Sequence, residues 1–177
     1  MTHKSVYAIV TNEAKATEIV DELTRKGFLN NDISVLLPDK GSTHQFSHEK
    51  HTKAPEGAVT GATTGGAVGG VLGLLVGIGA LAIPGVGPLI AAGPLLAALS
   101  GAAAGAAAGG ITGALIGMGI PEIEAKRYEN RIAEGNILIS VLAKTSDEVS
   151  RAKKVLEQCG AEDISSTSIG EAQVAHH

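Results

Sequence analysis

Several residue types are scarce in this chain of 177 residues, which has one cysteine, two tyrosines, two phenylalanines and no tryptophan. A single cysteine excludes a disulfide framework and a four-cysteine zinc site. So few aromatic rings exclude a platform on which nucleic-acid bases stack. The formal net charge of -4 also argues against a general nucleic-acid binder, because such proteins are normally basic.

Charge is absent from one long block in the middle of the chain. Residues 57–121 contain no Asp, Glu, Lys, Arg or His, yet they hold 19 of the 24 glycines. This division predicts a charged globular domain that is interrupted by an apolar insert. The predicted parts are a first half (1–38), a linker (39–56), the insert (57–120), a second half (121–170) and a tail (171–177).

The flanks of the insert carry ordinary patterns of strands and helices. The first flank predicts a strand at 5–10, an amphipathic helix and a strand at 32–37. The second predicts a helix at 122–135, a strand at 136–143 that is buried on both sides, a second helix and a strand at 164–169. The helix caps are expected at Asn12 and Thr145, because both residue types accept hydrogen bonds from free N–H groups.

The two flanks resemble each other in one stretch of sequence. The segment from Leu23 to Ser34 ends in Gly-x-x-x-x-Asp-Ile-Ser, and the segment from Leu156 to Ser165 ends in Gly-x-x-Asp-Ile-Ser. Two β-α-β units of this kind assemble into a ferredoxin-like sheet of four strands with helices on one face. We therefore expect an α+β fold with the element order β-α-β followed by α-β-α-β. The insert would split this fold between its second and third strands.

The glycines of the insert follow a period of four residues. The predicted packing positions are Gly57, Gly61, Gly65, Gly69, Gly73, Gly77, Gly93, Gly101, Gly105, Gly109, Gly113 and Gly117. Residues four apart share a helix face, and such small-residue grooves let helices approach closely. We therefore expect a helical hairpin with arms at 58–83 and 89–118, and an oligomer that buries it. A flexible glycine-rich linker is the alternative.

The tip of the expected hairpin lies at residues 83–88, where prolines and glycines break any helix. The tip residues are Pro84, Gly85, Gly87 and Pro88. Each arm is long enough to cross a bilayer. The outer ends of the arms are weakly apolar and aromatic residues are missing, which leaves a soluble assembly with buried hairpins as the alternative.

Basic residues flank the insert on both sides. They are Lys50, Lys53, Lys126, Arg127 and Arg131. In a membrane-inserted hairpin, these residues would place both flanks in the cytoplasm and could contact anionic lipid head groups. A solvated helix face is the alternative. No signal peptide is visible at the start of the sequence.

Four sequence strings give the chain a resemblance to a known family. They are Asp39-Lys-Gly41, His48 to Ala58, Ile83 to Pro88, and Gly117 to Glu122 with Tyr128-Glu129. With these strings the chain resembles bacterial general stress proteins, or low-temperature-induced proteins, that carry a glycine-zipper hairpin. The resemblance implies a stress-associated bacterial protein with a split α/β domain, and it implies no reaction, cofactor or catalytic residue.

The sequence offers little material for catalysis. His44, His48 and His51 could converge on a metal if their segment were helical, but the flanking residues favour a linker. Cys159 has basic neighbours in sequence that could lower its thiol pKa, although packing is the commoner role of a lone cysteine. Neither a phosphate-binding loop nor a nucleophile motif occurs, so we expect neither an enzyme nor a cofactor.

The sequence thus predicts a stress-associated structural protein that assembles with itself through glycine-zipper hairpins at or in the cytoplasmic membrane. Its partners would be further copies of the chain and membrane lipid, and not nucleic acid. The alternatives are a soluble assembly in the cytoplasm, a channel, and a sensor of a ligand or metal. A channel is disfavoured because the insert has no ionisable residue.

Overall fold

In the computed structural model, the described residues are 3–38, 78–83, 87–95 and 103–169. Within these ranges the chain forms six strands and four α-helices. The strands are β1 (His3–Val10), β2 (Ile33–Pro38), β3 (Ile78–Ile83), β4 (Gly87–Ala92), β5 (Ile137–Ala143) and β6 (Glu162–Ile169). The helices are α1 (Glu13–Arg25), α2 (Ala103–Gly117), α3 (Glu122–Ala133) and α4 (Ser146–Gln158). The predicted α+β class is confirmed.

The six strands form one antiparallel sheet in the order β3-β4-β2-β5-β1-β6. Strand β5 lies between β1 and β2 and runs antiparallel to both, so that β1 and β2, which α1 connects, point the same way. Strand β1 lies likewise between β5 and β6, which α4 connects. The strands of the two flanks therefore alternate in the sheet, and neither flank can form its part of the sheet alone.

One face of the sheet packs against α1 and α4. The buried stripes of these helices are Ala16, Ile19, Val20 and Leu23 in α1 and Val149, Ala152, Val155 and Leu156 in α4. Asn12 caps α1, because its side chain accepts a hydrogen bond from the Lys15 N–H at 2.9 Å. Thr145 caps α4 in the same way through the Glu148 N–H at 3.1 Å. Both predicted caps are confirmed.

The other face of the sheet is covered by α2 and α3. Tyr7 and Leu138 from the central strands form a buried cluster with Leu115 of α2 and with Tyr128 and Ile132 of α3. The expectation that helices cover one face only is therefore wrong. Strands β1 and β5 are apolar on both faces, so a bare second face would expose the side chains of this cluster to water.

The central part of the insert forms strands where the sequence predicts helical arms. Strand β4 pairs with β2, for example Ile90 with Leu37, and β3 pairs with β4 on its outer side. The helical prediction is therefore wrong for β3 and β4. The physical reason lies in β2, whose apolar residues would be exposed at the edge of a four-stranded sheet. Strand β4 covers that edge and buries Leu89 and Ile90 on opposite faces.

The last part of the insert is helical, as predicted, because α2 runs from Ala103 to Gly117. It is interrupted at Gly110, whose φ of 58° and ψ of -154° are not helical. The first arm up to residue 77, the linker at 39–56 and residues 84–86 of the tip lie outside the described residues. Among the helices that are described, none has the length and apolar character needed to cross a membrane.

Candidate interaction surface

The structure gives different environments to the glycines that the sequence singles out. Gly105, Gly109, Gly113 and Gly117 lie in α2, and Gly93 lies in the bend that follows β4. The other predicted packing positions lie outside the described residues, and they are Gly57, Gly61, Gly65, Gly69, Gly73, Gly77 and Gly101. Of the tip residues, Gly87 and Pro88 open β4, whereas Pro84 and Gly85 are not described.

Gly93 has a backbone role and not the predicted role on a helix face. Its φ is +83°, in the left-handed region that favours glycine. A Cβ atom at this position would overlap the carbonyl oxygen of Ile33 in β2. Immediately beyond the bend, the Leu95 N–H donates to Ser34 Oγ at 3.0 Å. Gly93 thus lets the chain turn tightly against β2 as it leaves the sheet.

The second half of α2, residues 111–117, has a buried face and an exposed one. Ile111, Ala114 and Leu115 are buried against the sheet. The opposite side consists of Gly113, Ile116 and Gly117, which we call the glycine face. Ile116 is 43% exposed, and a Cβ built on either glycine would meet no described atom within 4 Å. With respect to the described residues, the glycine face is therefore an open, uncharged surface with bare backbone at its centre.

Both ends of the 111–117 segment are held in place. At its start, the Glu129 carboxylate of α3 accepts hydrogen bonds from the Thr112 N–H at 3.2 Å and from the Thr112 hydroxyl. At its end, the Ile120 N–H bonds to the Leu115 carbonyl and the Gly119 N–H to the Ile116 carbonyl. This pattern is a Schellman motif, with Gly119 at the left-handed φ of +92° that the motif requires.

Helix α3 carries the three described members of the predicted lipid-contacting set. Lys126 forms an exposed ion pair with Glu122 at 2.6 Å. This pair raises the pKa of Lys126 and lowers that of Glu122. Arg127 and Arg131 instead lie beside carboxylates of β6, where Asp163 is 3.6 Å from Arg127 and 3.5 Å from Arg131.

These basic side chains therefore already have carboxylate partners within the chain. Arg131 also pairs with Glu162 and joins α3 to the edge of the sheet. A contact with lipid head groups would have to compete with these pairs. Contacts between lipid and Lys126, Arg127 or Arg131 stay a prediction, as do those of Lys50 and Lys53, which lie outside the described residues.

Two buried tyrosines anchor α3 to the sheet. The Tyr128 hydroxyl donates to the Asp163 carbonyl oxygen at 2.8 Å and lies 2.5 Å from Ser165 Oγ. Its burial raises its pKa to about 12. The Tyr7 ring lies 6.2 Å from the Tyr128 ring, and burial raises the Tyr7 pKa as well. The Tyr7 hydroxyl makes no well-formed hydrogen bond to a described residue.

The described residues contain no group of three or more His, Cys, Asp or Glu side chains that could hold a metal ion. His44, His48 and His51 lie outside those residues. Cys159 is half-buried, and burial raises the pKa of its thiol, as do the nearby Glu18 and Glu22 carboxylates. The lowered pKa that its basic sequence neighbours suggest is therefore wrong, because burial has the largest effect on the thiol and the carboxylates of α1 add to it.

The sequence reasoning missed two residues that shape this surface, Gly110 and Glu129. Gly110 follows Gly109 directly and so departs from the period of four, which is a visible signal for an irregularity. No local sequence pattern indicates the role of Glu129, because the Thr112 N–H that it binds lies 17 residues earlier in the chain.

Comparison of the chain with family models, with curated proteins and with solved structures finds no match.

Proposed function

We propose that this chain is a structural protein that associates with further copies of itself through the glycine face of α2. The observation that carries the proposal is the open space beside Gly113 and Gly117. Glycine inside a helix costs about 0.5–1 kcal/mol relative to alanine, and neither residue has the positive φ that requires glycine. Close approach of another backbone would offset this cost.

A second copy of the chain is the partner that fits this surface best. The glycine face has no charge, so it offers nothing to a charged ligand, and it lies in a block of 65 residues without charge (57–121). A groove of glycines with Ile116 beside it is complementary to itself. In a two-fold pair, each Ile116 side chain would fill the space above the glycines of the other copy.

The location of such an assembly is a separate part of the proposal. We place it at or in the cytoplasmic membrane because the insert is long and uncharged, with a soluble assembly as the alternative. Separation of a cell lysate into membrane and soluble fractions distinguishes the two. Retention on membranes after a carbonate wash supports insertion, and a large soluble particle supports the alternative. The stress association implied by the family resemblance also stays a prediction.

The substitutions Gly113→Leu and Gly117→Leu test the glycine face. Each places a branched side chain where the partner backbone would lie, and we expect each to weaken self-association at least about tenfold, or about 1.4 kcal/mol. Sedimentation velocity over a range of concentrations measures the effect. Gln158→Leu is the matched control, because it adds a leucine at an exposed position of α4 and should leave association unchanged.

Two outcomes would contradict the proposal. One is that Gly113→Leu and Gly117→Leu assemble as the native protein does while the circular dichroism spectrum is unchanged. The other is that the native protein is a monomer and the leucine variants only lose thermal stability. The second result would mean that another segment of the same chain occupies the glycine face.

For the fold we infer that the four flank strands form a ferredoxin-like unit to which the insert adds β3 and β4. The strand order β2-β5-β1-β6 and the antiparallel pairing of all neighbours support this inference. In this arrangement the insert extends the sheet beyond β2, and α2 then returns across the face that a four-stranded unit leaves open.

A further inference from the structure

Helix α2 is divided at a residue that only glycine suits. Gly110 combines a φ of 58° with a ψ of -154°, a region that side-chain-bearing L-residues essentially do not occupy. The backbone on both sides, at 103–109 and at 111–117, is helical. The break therefore depends on one residue and not on a loop, which is the arrangement expected of a hinge.

The break leaves a free N–H group that a side chain from α3 binds. In an unbroken helix, the Thr112 N–H would bond to the carbonyl oxygen of residue 108. In the structure it donates to the Glu129 carboxylate at 3.2 Å, and the Thr112 hydroxyl binds the same oxygen. Glu129 thus does for the 111–117 segment what an N-cap side chain does for a helix, and it stabilises the broken form.

The break also changes which glycines share a face. In a straight helix, residues 105, 109, 113 and 117 would form one continuous row, since each is four positions from the next. With Gly110 out of helical geometry, only Gly113 and Gly117 share a segment beyond the break. The broken form therefore presents a short glycine face, and a straight α2 would present one about twice as long.

We propose that Gly110 is a hinge and Glu129 its latch, and that together they regulate self-association through the glycine face. With the latch closed, α2 is broken and the face is short, so association is weak. With the latch open, α2 straightens and all four glycines line up for a second copy. This inference rests on the proposed function, because it names the regulation of the same surface.

The substitution Gly110→Ala tests the hinge. Alanine excludes the broken geometry and favours the helix, so we expect self-association to become about tenfold stronger and the helical ellipticity to rise. Sedimentation velocity and circular dichroism provide the two readouts. Unchanged association together with raised ellipticity would overturn the hinge.

The substitution Glu129→Ala tests the latch without changing any residue of α2. We expect it to strengthen association in the same direction, about threefold or more, since it removes the acceptor that holds the Thr112 N–H. Glu124→Ala is the matched control, because it removes the same charge from the same helix. An equal effect of both variants would overturn the latch. This comparison leaves Gly110 unchanged, so it can be made even if Gly110→Ala fails to fold.

Combined variants separate this inference from the proposed function. If Glu129 acts through the hinge, Glu129→Ala should add no further association to Gly110→Ala. Adding Gly113→Leu to Gly110→Ala should abolish the gain. A gain that survives Gly113→Leu would refute the glycine face itself. Loss of association in Gly113→Leu without any gain in Gly110→Ala would refute only the hinge.

Discussion

Gly93→Ala is expected to lower the free energy of unfolding by more than about 3 kcal/mol, because two separate costs add at this position. The first is the left-handed φ of +83°, which L-residues with a side chain rarely adopt. The second is overlap of the new methyl group with the Ile33 carbonyl oxygen, which is backbone and cannot rotate away. Urea unfolding followed by circular dichroism measures the loss.

Two other glycines separate these costs. Gly27 has a φ of +92°, but a Cβ built on it meets no atom of the described part of the chain within 4 Å, so Gly27→Ala should show the conformational cost alone, about 1–2 kcal/mol. Gly113 is helical and meets no described atom within 4 Å, so Gly113→Ala should be neutral or stabilise by up to about 1 kcal/mol at concentrations where the chain is a monomer. If Gly93→Ala behaved like Gly113→Ala, the close approach of this bend to β2 would be wrong.

The helices of the flanks could be predicted because their signals are local. The buried stripe of α1 recurs with helical spacing, Asn12 provides the cap, and Gly27 ends the helix with a positive φ. Helix α4 has the same kinds of signals. A strand buried on both faces, such as β5, is also visible, since apolar residues fill every position of a short run.

The strands of the insert could not be predicted from local pattern alone. Leu89 to Ala92 is an apolar run that suits a buried strand and a buried helix equally well, and the glycine period favours the helix. The deciding factor is long-range, because β2 needs a neighbour at its outer edge. One signal was available: Ile33, Val35 and Leu36 make β2 apolar on both faces, which is typical of an interior strand and not of an edge.

The candidate surface was predictable only in part. The period of four places Gly113 and Gly117 on one side of α2, but no sequence pattern says that this side faces outward. The sheet decides this, because Ile111 and Leu115 bury against it and so turn the glycines away. The hinge at Gly110 depends likewise on Glu129, whose position relative to α2 is set by the packing of α3 on the sheet.

Alkaline pH is expected to destabilise the protein between about pH 10 and pH 12, because both buried tyrosines ionise less readily in the folded chain than in the unfolded chain. In the unfolded chain, tyrosines ionise near pH 10.0, whereas in the folded chain the pKa of Tyr128 is about 12 and that of Tyr7 is also raised. The part of the stability that depends on neutral tyrosines is thus complete below pH 10 and is lost as the pH rises through this window. Within this window, a tyrosine is ionised in the unfolded chain and still neutral in the folded chain. Each such tyrosine lowers the free energy of unfolding by about 1.4 kcal/mol for every unit by which the pH rises.

Tyrosinate absorbance reports on Tyr7 and Tyr128 alone, because the chain has two tyrosines and no tryptophan. We expect absorbance to rise in one cooperative step together with the loss of ellipticity. Tyr128→Phe keeps the ring in the core and removes the bonds to Asp163 and Ser165, so it should cost about 1 kcal/mol at neutral pH. The same variant should reduce the alkaline slope, since one ionisable ring remains. Ionisation of both tyrosines near pH 10 with ellipticity intact would contradict their burial, and with it the packing of α3 against the sheet.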